Sequence, residues 1–150
     1  MLNEEIAITF ERIADLLEIK GENIFKVLAY RRASESIRQQ AVDIDTLDSK
    51  ALKEIPGIGQ AIARKILELS STGKLSFLEN LGKEVPLTLI EIVELRDVGP
   101  KKAALFWKQA DVTNLKELEA AARAGRLRQL SGMGEKSEAR ILASIESLKK

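Results

Sequence analysis

The sequence contains no histidine and no cysteine. Imidazole acid–base chemistry, thiolate nucleophiles and thiolate or imidazole metal sites are therefore excluded. Lysine and the carboxylates remain as the side chains able to act as nucleophile, acid or base. In EIPGIGQAIARKILE, residues 54–68, Lys65 follows a Pro-Gly-x-Gly turn and lies between Ile62 and Ile66. It flanks the apolar stripe of a helix instead of facing fully away from it. A free lysine amine has a pKa of about 10.4, so roughly one in a thousand is neutral near pH 7.4. Partial burial, or cations such as Arg64 and Lys26, would lower that value and raise the nucleophilic fraction. Spacing alone favours the plainer role, a solvated ammonium that touches an anion. The one D-x-D, Asp43-Ile44-Asp45, has the residue types of a turn and helix cap and is rejected as a metal site.

The turn before Lys65 has its own chemistry. Glycine permits positive φ and close backbone approach. A helix that opens straight after it presents free N–H groups at its positive dipole end, a setting that binds an oxygen anion such as phosphate.

Helices must position these groups. Ile6, Phe10, Ile13 and Leu17 fall on one helical stripe, which Gly21 interrupts. Phe25, Leu28, Ala29, Ala33 and Ile37 form the stripe expected of a second helix. Asp45 to Leu52 reads as a turn and a short helix. Ile62, Ile66 and Leu69 form the buried face of the helix carrying Lys65, which Thr72-Gly73-Lys74 ends. Helices over Leu75–Leu81, Pro86–Leu95, Pro100–Ala110, Asn114–Ala124 and Glu135–Leu148 complete the series. No alternating segment is long enough for a strand, so the expected fold class is all-α. Gly82 to Pro86 marks a boundary between residues 1–82 and 83–150.

A chain of 150 residues, 45% hydrophobic and 31% charged, has the composition of an ordinary soluble protein. It lacks a bilayer-length apolar run and a signal-peptide pattern, so a cytoplasmic location without a membrane partner is expected. The net charge of +1 is unevenly spread. Residues 1–22 hold two basic and six acidic side chains, and residues 83–150 hold 13 basic and 10 acidic ones. A near-neutral total does not rule out a polyanionic partner, because clefts respond to local charge.

An internal repeat explains the glycines. LKEIPGIGQAIARKIL (52–67), IVELRDVGPKKAALFW (92–107) and LRQLSGMGEKSEARIL (127–142) align on Gly59, Gly99 and Gly134. Each places an apolar residue four before that glycine (Ile55, Leu95, Leu130) and one immediately before it (Ile58, Val98, Met133), the latter expected to face inward and pin the turn. The pattern resembles the helix-hairpin-helix motif, which binds the DNA backbone without reading sequence. The copies differ. Asp97 stands where the others have Gly57 and Gly132, and Glu135 opens the third helix. Either carboxylate would repel a nearby phosphate, so the first hairpin is the best candidate for DNA contact. Pro100 suits the first helical position.

NIFKVLAYRRASESI (23–37) with LKEIPGIGQAIARKILELSSTGKL (52–75) closely resembles the amino-terminal lyase domain of the DNA polymerase X family, the polymerase beta-like enzymes. LRDVGPKKAALFW (95–107) and the chain beyond it resemble the family's fingers region. The resemblance implies a four-helix lyase-like core and then a small domain of two helix-hairpin-helix units. It implies that Lys65 is a Schiff-base nucleophile, which attacks C1′ of an abasic deoxyribose and removes the 5′-deoxyribose phosphate by β-elimination. It also implies a 5′-phosphate pocket containing Lys26, Tyr30 and Lys53. Phe25, Ala61 and Phe77 stand where that family has basic or histidine ligands, which puts lyase efficiency in question more than DNA binding. Potassium or sodium ions would bridge hairpin carbonyls to phosphate, at Ile55 and Ile58 and at Leu95 and Val98. No cofactor is required for binding. The chain ends at Lys150 without the family's palm, so no polymerase activity is expected of it alone, and it reads either as part of a larger polymerase or as a solitary domain pair.

The sequence supports three functional readings. The first is a repair-type module that grips the backbone of gapped, nicked or 5′-phosphate-bearing DNA. Its contacts would come from Gly57, Ile58 and Gly59 with Lys26, Tyr30, Lys53 and Lys74, from Gly99 with Lys101 and Lys102, and from Gly132 and Gly134 with Lys136. The second adds lyase activity through Lys65. The third is a protein-interaction scaffold whose hairpins only pack helices. A polymerase palm domain or repair proteins are the expected protein partners.

Overall fold

The first two helices set the frame of the amino-terminal half. In the computed structural model, which describes residues 1–150, α1 (Asn3–Lys20) turns at Gly21 into α2 (Ile24–Arg38). Gly21 adopts φ 90°, and the Gly21 and Glu22 amides both donate to the Leu17 carbonyl. This closes the orphaned end of α1 with a left-handed residue. The helices are antiparallel: Arg31 meets Asp15 and Glu18, Ser34 meets Ala7, and Arg38 reaches Glu4. Ser34 is fully buried, and its hydroxyl is satisfied by donating to the Ala7 carbonyl at 2.7 Å.

The stripe on α1 is buried as its spacing requires, with Ile6, Phe10, Ile13 and Leu17 all in the core. The stripe expected on α2 is displaced. Val27, Tyr30, Ala33, Ser34 and Ile37 face the core, whereas Phe25 is 77% exposed and Leu28 and Ala29 are also exposed. Tyr30 decides the phase. Its ring stacks between Phe10 and Phe77, with centroids 6.0 and 5.7 Å away. Burying that column rotates Phe25 and Leu28 outward.

A single 3-10 turn (Ile44–Thr46) leads to α3 (Ser49–Lys53), whose cap Asp48 accepts from the Ala51 amide. Asp43 precedes that turn and Asp45 lies within it, pairing with the N-terminal ammonium at 2.8 Å. The amphipathic α4 (Gln60–Thr72) buries Ile62, Ala63, Ile66 and Leu69 and ends at Gly73 with φ 74°. Then α5 (Ser76–Leu81) closes the unit.

The chain divides into two compact units, Met1–Glu84 and Val85–Lys150, each with its own core. The second contains α6 (Leu89–Val93), α7 (Gly99–Ala110), α8 (Leu115–Arg123) and α9 (Glu135–Leu148), with a 3-10 turn at Leu127–Gln129. Phe106 and Leu118 are fully buried, with Ile141 and Ile145 nearly so. The helix expected over Pro86–Leu95 is shorter. Its amides at Leu89, Ile90 and Glu91 bond three residues back, a 3-10 pattern that Pro86 initiates. Pro100 is the second helical residue, because α7 begins at Gly99. No strand occurs, and no helix is long and apolar enough to cross a membrane.

Phe10→Ala removes the inner ring of the aromatic column from a fully buried position. A loss of about 3–5 kcal/mol in chemical denaturation is expected.

Candidate nucleic-acid interface

The three hairpins share a backbone signature and differ in what they leave open. Each ties its inner apolar residue back by an i to i−3 hydrogen bond: Ile58 to Ile55 at 3.0 Å, Val98 to Leu95 at 3.2 Å and Met133 to Leu130 at 3.0 Å. Ile58 and Val98 are buried pins, and Met133 is only half-buried. The residue before each pin is left-handed: Gly57 at φ 90°, Asp97 at 66° and Gly132 at 78°. Asp97 therefore tolerates the conformation that glycine takes in the other copies.

In the first hairpin, extended Gly59 caps α4, and the first helical bond runs from the Ala63 amide to the Gly59 carbonyl at 2.9 Å. The N–H groups of Gly59, Gln60 and Ala61 precede that bond, and all three residues are exposed. No side chain caps them, and the first turn of α4 has no acidic residue. Gly57 is needed twice over. Its φ is left-handed, and a Cβ there would come within 3.0 Å of both Arg32 Cγ and Ser36 Oγ on α2.

The second hairpin is arranged differently. Gly99 is itself left-handed at φ 71° and already belongs to α7, so its amides do not repeat the geometry at Gly59. Lys102 Nζ donates to the Asp97 carbonyl at 2.9 Å, folded back on its own turn, while Lys101 is exposed. The third hairpin closes itself. The Gly134 amide donates to Ser137 Oγ at 2.9 Å, and Glu135 and Glu138 occupy the first turn of α9. Glu138 is 2% exposed and accepts from the Arg128 amide and Nε at 3.0 and 2.9 Å. Gly132, Gly134 and exposed Lys136 thus border a helix start that is already capped and acidic.

Lys65 sits half-buried on α4 with Nζ 4.8 Å from the Phe77 ring centroid and 6.0 Å from that of Tyr30. Both rings belong to the wall of a cleft of about 400 Å³ that also includes Lys20, Lys26, Ala61 and Ile62. Burial holds the Lys65 amine below the usual lysine range, and Glu68 pulls the other way. The lowering comes from desolvation, not from the cations Arg64 and Lys26 expected to contribute. Glu68 stays below the ordinary carboxyl range chiefly because the Ser76 hydroxyl and amide bond to it. Burial also pushes the Tyr30 phenol up.

The cleft brings Lys26 and Tyr30 together near Lys65. Lys53, at the end of α3, and Lys74, after Gly73, are exposed and lie outside its lining. Lys20, which the sequence did not single out, lines the cleft and pairs with Glu84 at 3.0 Å. Phe77, read in the sequence only as a lost cation, is the ring beneath the candidate nucleophile. Nothing local to residue 77 signals that contact, which needs α5 to fold back beside α4. At the ion positions, the Ile55 and Leu95 carbonyls each already accept one amide. A carbonyl has a second lone pair, so these oxygens can still ligate a monovalent cation.

Gly57→Ala is expected to cost about 2 kcal/mol in thermal or chemical unfolding, from strain at positive φ and the contacts with α2. Gly59→Ala meets open space at φ −91° and should cost under about 1 kcal/mol.

Residues 1–75 match the helix-hairpin-helix domain family, and residues 88–147 match the SAM-like helix-hairpin-helix tandem. The chain is 34% identical over 145 residues to DNA polymerase/3'-5' exonuclease PolX of Bacillus subtilis (strain 168), covering 97% of this chain and 25% of that protein. It is 30% identical over 113 residues to DNA polymerase lambda of Arabidopsis thaliana, covering 75% of this chain and 21% of that protein. The chain thus spans about a quarter or less of the length of these curated relatives. It belongs to the helix-hairpin-helix domain family, in the form carried by the amino-terminal part of family X DNA polymerases.

Proposed function

We propose that this protein grips DNA by its sugar–phosphate backbone, without reading sequence, at nicks, gaps or 5′-phosphate ends. The observation that carries the reading is the open amide row of Gly59, Gln60 and Ala61 at the start of α4, uncapped and with no acidic residue in the helix's first turn. Three N–H groups at a helix start, with the positive end of the helix dipole behind them, favour a phosphate oxygen. The exposed second hairpin with Lys101 is a secondary contact. The third hairpin contributes mainly by packing, since its helix start is occupied by Ser137 and two glutamates. Potassium or sodium at the Ile55 and Ile58 carbonyls would add positive charge beside the same phosphate. The two relatives described above are DNA polymerases, which accords with a DNA partner.

Binding through phosphates releases counterions, so affinity should fall steeply with salt. About four neutralised phosphates correspond to roughly a hundredfold weakening between about 50 and 200 mM salt. Gly59→Ala places a methyl group against the amide row while leaving the fold intact. It is expected to weaken binding to a nicked duplex about tenfold in fluorescence anisotropy. Unchanged affinity would favour a packing role for the hairpins and a protein-interaction scaffold.

A second reading rests on Lys65. Its desolvated amine, held over the Phe77 and Tyr30 rings, is suited to attack an aldehyde carbon. Attack on C1′ of an abasic deoxyribose would expel water and form an imine. Loss of a C2′ proton would then drive out the phosphate on C3′. Borohydride should trap a covalent adduct with wild-type protein and none with Lys65→Ala. The neutral amine is the reactive form, so burial moves the rise in trapping to lower pH. The Glu68 carboxylate opposes this, but burial outweighs it. Phe77→Ala hydrates the amine and should shift the rise upward, toward the ordinary lysine value.

A further inference from the structure

Three arginines project from α2, and their surroundings differ. Arg31 pairs with Asp15 at 2.9 Å and Glu18 at 2.8 Å. Arg38 pairs with Glu11 at 2.8 Å and Glu4 at 3.3 Å. Arg32 is exposed and has no carboxylate partner. Its aliphatic stem lies against the first hairpin, where a Cβ on Gly57 would stand 3.0 Å from Arg32 Cγ and 3.3 Å from Cδ. The guanidinium begins one bond beyond Cδ, so it is held at the edge of the turn that leads into Gly59 and α4. The missing Cβ of Gly57 makes room for this stem.

A stem already packed leaves less freedom to lose when the head group binds, and a planar guanidinium matches a phosphate with two parallel hydrogen bonds. Arg31 and Arg38 have given their charge to α1. Arg32 is the α2 arginine whose charge remains available, and it stands beside the turn with the open amides. We propose that Arg32 is a phosphate ligand of the first hairpin and clamps the DNA backbone next to the Gly59–Ala61 amides. This inference rests on the backbone-binding reading.

The test measures affinity of the full chain for a nicked duplex across a salt series, with unfolding curves for every variant. Arg32→Gln is expected to weaken binding severalfold and to lower the log–log salt slope by about 1, the loss of one phosphate contact. Arg32→Lys should retain most of the slope. Arg38→Gln, which removes a charge already paired with Glu4 and Glu11, should leave the slope unchanged. An Arg32→Gln slope equal to wild type overturns the proposal, and so does an equal drop with Arg38→Gln, which would reveal only a loss of total charge. Gly59→Ala separates the two readings. If it weakens binding while Arg32→Gln keeps the slope, the hairpin reading stands and the Arg32 assignment falls. If Gly59→Ala has no effect while Arg32→Gln loses the slope, Arg32 contacts phosphate and the amide row does not.

Discussion

Tyr30 lies between Phe10 and Phe77, and this column sets much of the first unit. Each stacked pair contributes about 0.5–1.5 kcal/mol beyond the area it buries, but its larger effect is geometric. A ring inserted between α1 and α5 leaves α2 one rotational phase. That phase turns Arg31 toward Asp15 and Glu18, turns Arg32 toward Gly57, and leaves Phe25 and Leu28 in solvent. The same rings form the wall over which the Lys65 amine is desolvated. One packing constraint thus joins the core to the candidate nucleophile and to the first hairpin.

Charge is used locally. The acidic start of the chain is spent on α2, where Glu4, Glu11, Asp15 and Glu18 neutralise Arg38 and Arg31. In the second unit Arg123 pairs with Glu119 and Glu146, Lys149 with Glu119, and Arg128 with Glu135 and Glu138. The exposed pairs among these add little stability, yet all of them remove cations from the set available to a polyanion. The uneven distribution of charge along the sequence therefore reflects pairing between α1 and α2 more than an electrostatic face.

The three hairpins show how one backbone motif can carry different chemistry. All three bury or half-bury a pin and turn through a left-handed residue. Helix α4 then begins with open amides, α7 begins one residue earlier with Lys102 bonded into the turn, and α9 begins with Ser137 and glutamates in place. Side chains in the first helical turn, not the glycines, decide whether an anion finds a free donor.

Local rules were enough to read the all-α class, the turns at Gly21 and Gly73, and the repeat aligned on Gly59, Gly99 and Gly134. Each depends on a few neighbouring residues, through helical periodicity or backbone sterics. Contacts between distant residues lay beyond them. The rotation of α2 required Phe77 from another helix, the basis of the lowered Lys65 pKa required the same ring, and the stem of Arg32 met Gly57 only once α2 packed on the hairpin. By itself the sequence determined which elements form and where they turn, because backbone preferences act over a turn or two. Only the tertiary structure decided which arginine is spent, which amides stay open and which amine is desolvated, because burial and pairing are set by neighbours far away along the chain.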